Sequence, residues 1–490
     1  MGFKADTSFL RFLSMGAAGA RRLMTIMKEA GFEPIELERY CTSNKIWATK
    51  VKRLRLPDAL CVRTGLRVEV RAKSDLQIRM SDAPGNPDRR WDVGMRDEDL
   101  AAFIACSDDN GTFVPATEPV FFTYRDLRKS ETKSRLSDPK AASEGTETAR
   151  TWPSIVPKRN GVVTQVDKTT IRVTMDKDDE RAERPQTFQL RDRTSYVAAG
   201  DRFIADASIL AGVPTRRAEL KTYLSYKYDP LGQINSKNDV DRYAAVKALP
   251  FLPELKSKAV EAIAKRLDAE KEDRILLEAA GSGITLGVEK AWDKLESFVW
   301  SGDRADLRME AVFILTESKS VKAVPLLRKI AKAKEFAGNE IRQAAVWGLG
   351  KAGHKNYVDL AGFLNDPEGD VVLHAIAGFG SDAGPDIISL LVNLLERADL
   401  KEAAAASEAL RIIGNDAVLQ KLIEAAKQGG PSNWILATLG RLSPAKVRAA
   451  LGGDPLLNKL EPLFLMGSSE NWLAKDSVDI DLKFLLKQNL

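Results

Sequence analysis

The stretch Pro57-Asp58-Ala59-Leu60-Cys61-Val62-Arg63-Thr64-Gly65-Leu66-Arg67-Val68-Glu69-Val70-Arg71-Ala72-Lys73 decides the fold of the N-terminal part of the chain. From Leu66 onward apolar and charged residues alternate without interruption, which is typical of a β-strand with one buried face. The residues before it are rich in strand formers and end at Thr64-Gly65, which predicts a two-residue hairpin turn. The stretch therefore predicts a β-hairpin that carries four charged residues on one face: Arg67, Glu69, Arg71 and Lys73.

The register of this hairpin brings two carboxylates together. A two-residue turn, counted back along the strands, sets Asp58 opposite Arg71 and diagonally across from Glu69, about 7–8 Å away at the backbone. Two carboxylates at this separation are able to share a divalent cation, and Lys73 lies on the same face. The alternative interpretation is a solvated sheet face on which Asp58 and Arg71 form a salt bridge worth well under ~1 kcal/mol.

This arrangement resembles the PD-(D/E)xK nuclease superfamily, in which Pro-Asp opens one strand and Glu-x-Lys lies on the next. The resemblance implies that Asp58, Glu69 and the backbone carbonyl of Val70 bind Mg²⁺ (or Mn²⁺). Residue 71 is Arg where the family has Lys, and arginine cannot accept a proton near neutral pH. The resemblance therefore implies catalytic roles for Arg71 on the scissile phosphate and for Lys73 beside the attacking water.

The predicted order of elements around the hairpin agrees with that family. A helix over 8–30 and an extended segment over 32–39 precede the hairpin, and a helix over 97–106 and a strand over 120–124 follow it. The resemblance implies an α/β restriction-endonuclease-like domain over residues 1–128. One departure is that the first helix, which often carries a metal-ligating Glu in the family, has none before Glu29.

Positive charge is concentrated beside the candidate site. The whole chain has a formal net charge of only +5, with 74 Lys+Arg and 69 Asp+Glu. Residues 45–79 alone contain ten basic and three acidic residues, as expected for a groove that follows a phosphate backbone. Trp47 and Trp91 flank this window and either stack on bases or, as is more usual, pack in the core. The predicted nucleic-acid-binding residues are Lys50, Lys52, Arg53, Arg55, Arg63 and Arg67.

Composition excludes several classes of protein. The 490 residues, 44% of them hydrophobic and 29% charged, fit a globular chain of about three domains. There is no apolar run of 18 residues and no signal-peptide pattern, so a cytoplasmic protein without a membrane partner is expected. Three cysteines cannot all pair, and the only histidines, His354 and His374, lie far from the hairpin. Carboxylates must therefore do any metal binding.

The rest of the chain predicts three further regions. Residues 129–150 are almost devoid of apolar side chains, which predicts a flexible linker. Residues 151–214 contain short strand patterns separated by charged turns, which predicts a small β-barrel-like domain. Residues 215–490 are helical and repetitive, so the fold class is multidomain: an α/β domain, a small β domain and a C-terminal all-α solenoid.

The repeats align at intervals of 30–34 residues, which is the signature of an α-solenoid. Aligned segments begin at Arg242, Arg274, Arg308, Arg342, Val372 and Ala403. The stretch from Leu364 to Gly380 resembles a HEAT-type repeat of the short, phycobiliprotein-lyase-like form. We expect the recurrent arginine to bond a neighbouring turn and His374 to pack in the core.

These patterns together predict a metal-dependent endonuclease acting on nucleic acid, with DNA the expected substrate. Its solenoid would present a concave face to a protein or nucleic-acid partner, an arrangement suited to bacterial defence or DNA processing by analogy of fold. Two alternatives remain open: a non-catalytic scaffold with a degenerate nuclease domain, and an adaptor whose basic window binds acidic protein surfaces.

Overall fold

The structure is a computed structural model, and it divides into two compact units. Residues 6–40 and 53–256 form one, here called the sheet unit, and residues 41–52 and 257–490 belong to the other, here called the helical unit. The structure describes residues 7–37, 47, 49, 54–83, 86, 90–109, 112–137, 147–178, 180–215, 220–300, 304–318, 320–336, 338–351, 356–396, 400–428 and 432–468.

The sheet unit is built from one mixed sheet and three smaller sheets. Its first part contains, in chain order, α1 (Thr7–Glu29), β1 (Pro34–Glu36), β2 (Ala59–Cys61), β3 (Arg67–Lys73), β4 (Ile78–Asp82), β5 (Leu100–Asp109), β6 (Thr112–Pro115), β7 (Val120–Thr123), α2 (Tyr124–Lys129), β8 (Lys133–Ser137) and β9 (Glu147–Trp152). The mixed sheet has the order β1-β2-β3-β5-β6, and β7 also pairs with β5. Strands β3 and β5 are parallel, whereas the other pairs are antiparallel.

Helix α1 covers the apolar face of β3. A Cβ added at Gly19 would lie 2.9 Å from the Cβ of Ala72, so helix and strand approach too closely for a larger residue. The core beneath the helix consists of Met15, Leu23 and Met27 from α1 together with Val68, Val70 and Ile104 from the sheet. The predicted first helix and the predicted alternation of β3 are therefore both confirmed.

The predicted register of the hairpin is wrong by two residues. Leu60 pairs with Arg67, and the Cys61 N–H donates to the Leu66 carbonyl at 2.8 Å, so the turn has four residues rather than two. Gly65 ends this turn with φ 71°, a left-handed conformation that favours glycine. A shift of two residues keeps every side chain on its predicted face. The strand register now sets Asp58 opposite Glu69 instead of Arg71.

The predicted helix over 97–106 is also wrong, because this segment is the central strand β5. The run from Leu100 to Ile104 is buried along its whole length between β3 and β7. A strand buried on both faces reads as a continuous apolar run, and an alanine-rich run of that kind is easily mistaken for a helix. The predicted strand over 120–124 is confirmed as β7.

The predicted flexible linker over 129–150 is wrong where β8 and β9 occur. These strands and β4 form a three-stranded antiparallel sheet, in which β9 lies between the other two. Trp152 at the end of β9 is buried, and its Nε1 donates to the Leu127 carbonyl at 2.8 Å. Few apolar residues are needed here because the strands are held mainly through their backbones.

The following region is a small antiparallel β structure, as expected. It contains β10 (Gly161–Val166), β11 (Thr170–Met175), β12 (Arg184–Gln189), β13 (Thr194–Ser195), β14 (Arg202–Phe203) and β15 (Ala211–Gly212). The larger of its two sheets has the order β12-β11-β10-β14, and β13 pairs with β15. Its core includes Val163, Ile171, Val173 and Phe203.

Two helices that precede the long helical run belong to the sheet unit, namely α3 (Pro230–Gln233) and α4 (Asp239–Ala248). Ala244 and Ala248 of α4 share a core with Leu60 and Val62 of the hairpin. The buried guanidinium of Arg67 pairs with Asp241 of the same helix. The first helix of the repetitive sequence therefore packs on the sheet.

The helical unit contains α5 to α18. Their bounds are α5 (Lys256–Ala269), α6 (Asp273–Leu286), α7 (Lys290–Trp300), α8 (Ala305–Glu317), α9 (Ala323–Lys332), α10 (Glu340–Lys351), α11 (Tyr357–Gly362), α12 (Gly369–Ala377), α13 (Pro385–Leu394), α14 (Leu400–Ile413), α15 (Asp416–Gln428), α16 (Asn433–Gly440), α17 (Pro444–Leu451) and α18 (Leu456–Ser468). No helix of the described residues has the length and apolar character that a membrane span requires.

Alternate helices of this unit stack on one another, which is compatible with a solenoid. In a first row, α6, α8, α10, α12, α14, α16 and α18 each contact the next helix of the row. In a second row, α11, α13, α15 and α17 do the same. The six residues used to align the repeats all lie near the starts of α4, α6, α8, α10, α12 and α14. The sequence period therefore located alternate helices correctly.

The repeat arginine in α10 has the structural role that was expected. Arg342 pairs with Asp366 and Glu368, which lie in the turn before α12, and its Nε donates to the Ala331 carbonyl at 2.7 Å. This guanidinium joins one repeat to the next.

We predict that α4 is needed for a stable sheet unit. A fragment of residues 1–215 lacks Asp241 and exposes Leu60 and Val62, whereas a fragment of residues 1–256 retains these contacts. Leaving a buried charge without its partner costs about 3–5 kcal/mol. The shorter fragment should therefore show a lower thermal midpoint by circular dichroism, and Asp241→Asn in the longer fragment separates the charge from the packing. Equal midpoints for the two fragments would contradict the prediction.

We also predict a pH dependence from His374, which is buried in α12 as expected. Burial lowers its pKa to about 4, below the 6.5 of an unfolded histidine. Above pH 6.5 neither state is protonated at this residue. Between pH 6.5 and 4 only the unfolded state gains the proton, so the free energy of unfolding falls by about 3 kcal/mol in all. Urea unfolding at pH 7 and pH 5 should show about 2 kcal/mol of this loss in the wild type, because pH 5 lies 1.5 units below the unfolded pKa, and His374→Leu should reduce it. An equal loss in both proteins would exclude His374 as its source.

Candidate functional site

The candidate site lies where β2 enters the mixed sheet beside β3. Asp58 immediately precedes β2, and its backbone carbonyl accepts a hydrogen bond from Leu37 N–H at 2.9 Å. Its side chain is 5% exposed, and Oδ2 accepts a hydrogen bond from Val70 N–H at 2.5 Å. The carboxylate thus occupies the place that a backbone carbonyl would otherwise take at the end of the β2–β3 ladder.

Glu69, Arg71 and Lys73 lie on the same face of β3, as the alternation predicted. Arg71 Nη2 is 2.7 Å from Glu69 Oε1, and the two side chains are 31% and 16% exposed. Lys73 ends the strand with a partly exposed side chain. The structure therefore brings Asp58 and Glu69 to neighbouring strand positions and supplies the cation of Arg71 next to them.

The structure adds Tyr124, which the sequence reasoning missed. Burial raises the pKa of its hydroxyl well above 10, and the negative charge of Glu69 raises it further. The ring stacks on Trp91 with centroids 5.6 Å apart. Its backbone N–H donates to the Asp99 carbonyl at 3.0 Å. The sequence predicted Tyr124 only as the last residue of a strand. That pattern did not indicate a position in the site, because it is the pairing of β7 with β5 that brings Tyr124 there.

A second cluster of charges continues along the same face of the sheet. Arg96 holds Asp99 through three hydrogen bonds: from its backbone N–H to Oδ2 at 2.6 Å, and from Nε and Nη2 to Oδ1 at 3.1 and 2.8 Å. Asp99 is fully buried, and this burial raises its pKa against the opposing effect of Arg96. Arg67 is 1% exposed and pairs with Asp241.

The three described members of the predicted nucleic-acid-binding set differ in exposure. Arg67 is buried in its ion pair with Asp241, so its guanidinium is not accessible to a phosphate. Arg63 is 40% exposed and pairs with Glu33 at 3.0 Å and with Glu254. Arg55 is exposed. The remaining three, Lys50, Lys52 and Arg53, lie outside the described residues.

The candidate site offers a metal the carboxylates of Asp58 and Glu69. Within the described parts of the chain, no group of three or more His, Cys, Asp or Glu residues is arranged to hold a metal ion. Glu29, at the end of α1, lies near Arg22, with Oε1 and Nη1 4.0 Å apart. Any cation at this site would depend on Asp58 and Glu69.

Comparison with known proteins leaves the chain without an assigned family. No protein-family model matches it, and no curated protein matches it. A solved structure of YibA from E. coli is similar at 16% sequence identity, with 53% of this chain and 92% of that chain covered. The TM-score of that match is 0.28, which is too low to establish a shared fold.

Proposed function

We propose that this protein is a metal-dependent nuclease that hydrolyses phosphodiester bonds in nucleic acid, with DNA as the expected substrate. The observation that carries the proposal is the register of β2 against β3, in which Ala59 pairs with Val68; continued by one residue, it sets Asp58 opposite Glu69. Directly opposite positions hold the two carboxylates closer together than the diagonal positions that the sequence predicted. The position of α1 on the opposite face and the parallel pairing of β3 with β5 also support it.

The donor chemistry fits a hard divalent cation. Mg²⁺ is commonly held by one or two carboxylates, with water and substrate phosphate as its other ligands. Asp58 and Glu69 would hold Mg²⁺ or Mn²⁺, which when bound would polarise the phosphate and lower the pKa of a coordinated water. Two neighbouring carboxylates repel each other when both are ionised, and the guanidinium of Arg71 reduces this repulsion.

The remaining side chains would act on the substrate. Arg71 has a planar guanidinium that can donate hydrogen bonds to two phosphate oxygens while its charge also pairs with Glu69. Lys73 would supply a second cation two residues further along the same face. Tyr124 is 1% exposed, so it would support the site from within the fold rather than contact the substrate, and burial raises the pKa of its hydroxyl and keeps it protonated.

The helical repeats would be of the HEAT type and would bind a protein or nucleic-acid partner. Support comes from the 30–34-residue period, from the two rows of stacked helices, and from the Arg342 ion pairs that join α10 to the turn before α12. Repeat proteins of this architecture present extended surfaces rather than catalytic clefts.

One observation favours the alternative of a non-catalytic scaffold. Glu69 is already paired with Arg71 at 2.7 Å, and Asp58 already satisfies the Val70 N–H. Both carboxylates therefore have a structural use. A scaffold would bind nucleic acid equally well with and without a chelator, whereas the nuclease would lose cleavage in EDTA.

We predict that Asp58→Asn and Glu69→Gln each reduce Mg²⁺-dependent cleavage of plasmid and single-stranded substrates by at least about 100-fold. Losing a residue that merely orients a metal ligand already costs 10–100-fold, so losing a ligand should cost no less. Asp58→Asn keeps an oxygen that can accept the Val70 N–H, so the fold should be retained. Lys73→Ala should lose more activity than Arg71→Lys, which restores the usual residue of the resembled family.

Asp75→Asn is the matched control, since it removes one exposed carboxylate just beyond β3. It should cleave at the wild-type rate. If the wild type cleaves no nucleic acid with Mg²⁺ or Mn²⁺, the nuclease proposal fails and the scaffold takes its place.

We predict that the basic window sets the salt dependence of nucleic-acid binding. Replacing Lys50, Lys52, Arg53 and Arg55 with Ala should weaken binding of all sequences and reduce the slope of log K against log salt by up to about one per lost contact. A control variant should remove four exposed cations from the β10–β12 region: Lys158, Lys168, Arg172 and Arg184. Fluorescence anisotropy over a salt series gives both slopes. An unchanged slope in the first variant would show that the window is only a solvated surface.

A further inference from the structure

A short segment of the N-terminal sequence belongs to the helical unit. Residues 41–52 connect β1 to β2, yet they group with the helices of residues 257–490 rather than with the sheet. Two residues of this segment are described, Trp47 and Thr49. Both contact the first row of helices.

Trp47 fills an aromatic recess formed by three successive helices of that row. Its ring stacks on His374 of α12, with centroids 5.1 Å apart and planes 18° apart. Phe313 of α8 and Trp347 of α10 lie 5.7 and 6.2 Å away, in tilted and edge-on arrangements. Such offset and edge-to-face contacts are favourable for aromatic rings. Trp47 is only 2% exposed, so the recess encloses it almost completely.

A backbone contact fixes the chain next to this ring. The Thr49 N–H donates to Oε2 of Glu340, the first residue of α10, at 2.6 Å. The acceptor is a carboxylate, and hydrogen bonds to charged groups are stronger than those between neutral ones. The segment is therefore held at two points, one apolar and one polar.

Among the described residues, three buried polar atoms of the recess have no hydrogen-bond partner: Trp47 Nε1, Trp347 Nε1 and His374 Nδ1. Buried polar groups in proteins nearly always have partners, so three in one place mark an incompletely satisfied site. The contacts that the structure gives for the Trp47 side chain are with aromatic rings.

We propose that the recess formed by Phe313, Trp347 and His374 is an indole-binding site of the helical repeats, and that Trp47 of the same chain is its resident occupant. Trp47 lies eleven residues before Asp58 in the sequence. Occupancy of the recess therefore anchors the connection that leads into β2. The proposal does not depend on nuclease activity.

The test uses the full chain and a fluorescein-labelled peptide of residues 41–53. Trp47→Ala empties the recess, and this variant should bind the peptide at least tenfold more tightly than a peptide with Ala at position 47. The wild type should bind the same peptide at least tenfold more weakly than the variant does. The reason is that its own Trp47 competes at the high effective concentration of a tethered group. Thr49→Ala, which keeps the backbone N–H, is a matched control and should behave like the wild type.

Circular dichroism first checks that Trp47→Ala retains its helices. If the folded variant binds the two peptides equally, the proposal is overturned. If the variant does not fold, hydrogen exchange of the wild type decides. Protection of the Thr49 amide that falls at least tenfold in Glu340→Ala supports the anchored segment, whereas exchange at the rate of an unstructured peptide in the wild type overturns it.

Discussion

The buried guanidinium of Arg67 is the interaction on which the arrangement of the sheet unit depends. A charge that is 1% exposed must have a partner, since an uncompensated buried ion is costly. Asp241 provides the opposite charge, and it does so from α4, the first helix of the repetitive sequence. Burial of this pair requires α4 to cover the hairpin, where Ala244 and Ala248 then pack on Leu60 and Val62. The boundary between the two units consequently falls near residue 256 rather than where the repeats begin.

The same ion pair determines how much of the charged face of β3 is exposed to solvent. Alternation in a sequence identifies which residues share a face, but it does not say what covers that face. Here Arg67 is covered by α4, Glu69 and Arg71 pair with each other, and Lys73 is partly exposed at the strand end. Solvation therefore increases along a single strand. If the proposed nuclease activity holds, Arg71 and Lys73 are better exposed for a phosphate contact than the buried Arg67.

The parts of the fold that the sequence predicted are those set by local periodicity. Strand β3 follows from its period of two, α1 from its amphipathic pattern, and the alternate helices from the repeat of 30–34 residues. The failures have non-local causes. Strand β5 is apolar throughout because both faces are buried, and β8 and β9 form because β4 offers a free edge for pairing. The hairpin register depended on a turn whose length the pair Thr64-Gly65 does not specify. The alternation predicted which charged residues share one face of β3, but it gave no sign of Tyr124, which comes near them only through the pairing of β7 with β5.

Each of the two units contains a segment that the order of the sequence would assign to the other. Helix α4, which begins the repeats, packs in the sheet unit, whereas Trp47 and Thr49, from the segment between β1 and β2, pack in the helical unit. The first segment is held by a buried ion pair and by apolar contacts with the hairpin. The second is held by the aromatic contacts of Trp47 and by the Thr49 N–H, which donates to Glu340. Loss of the first would leave a buried charge without its partner, whereas loss of the second would remove ring contacts. Each unit therefore depends on residues that are distant in sequence from most of its other residues.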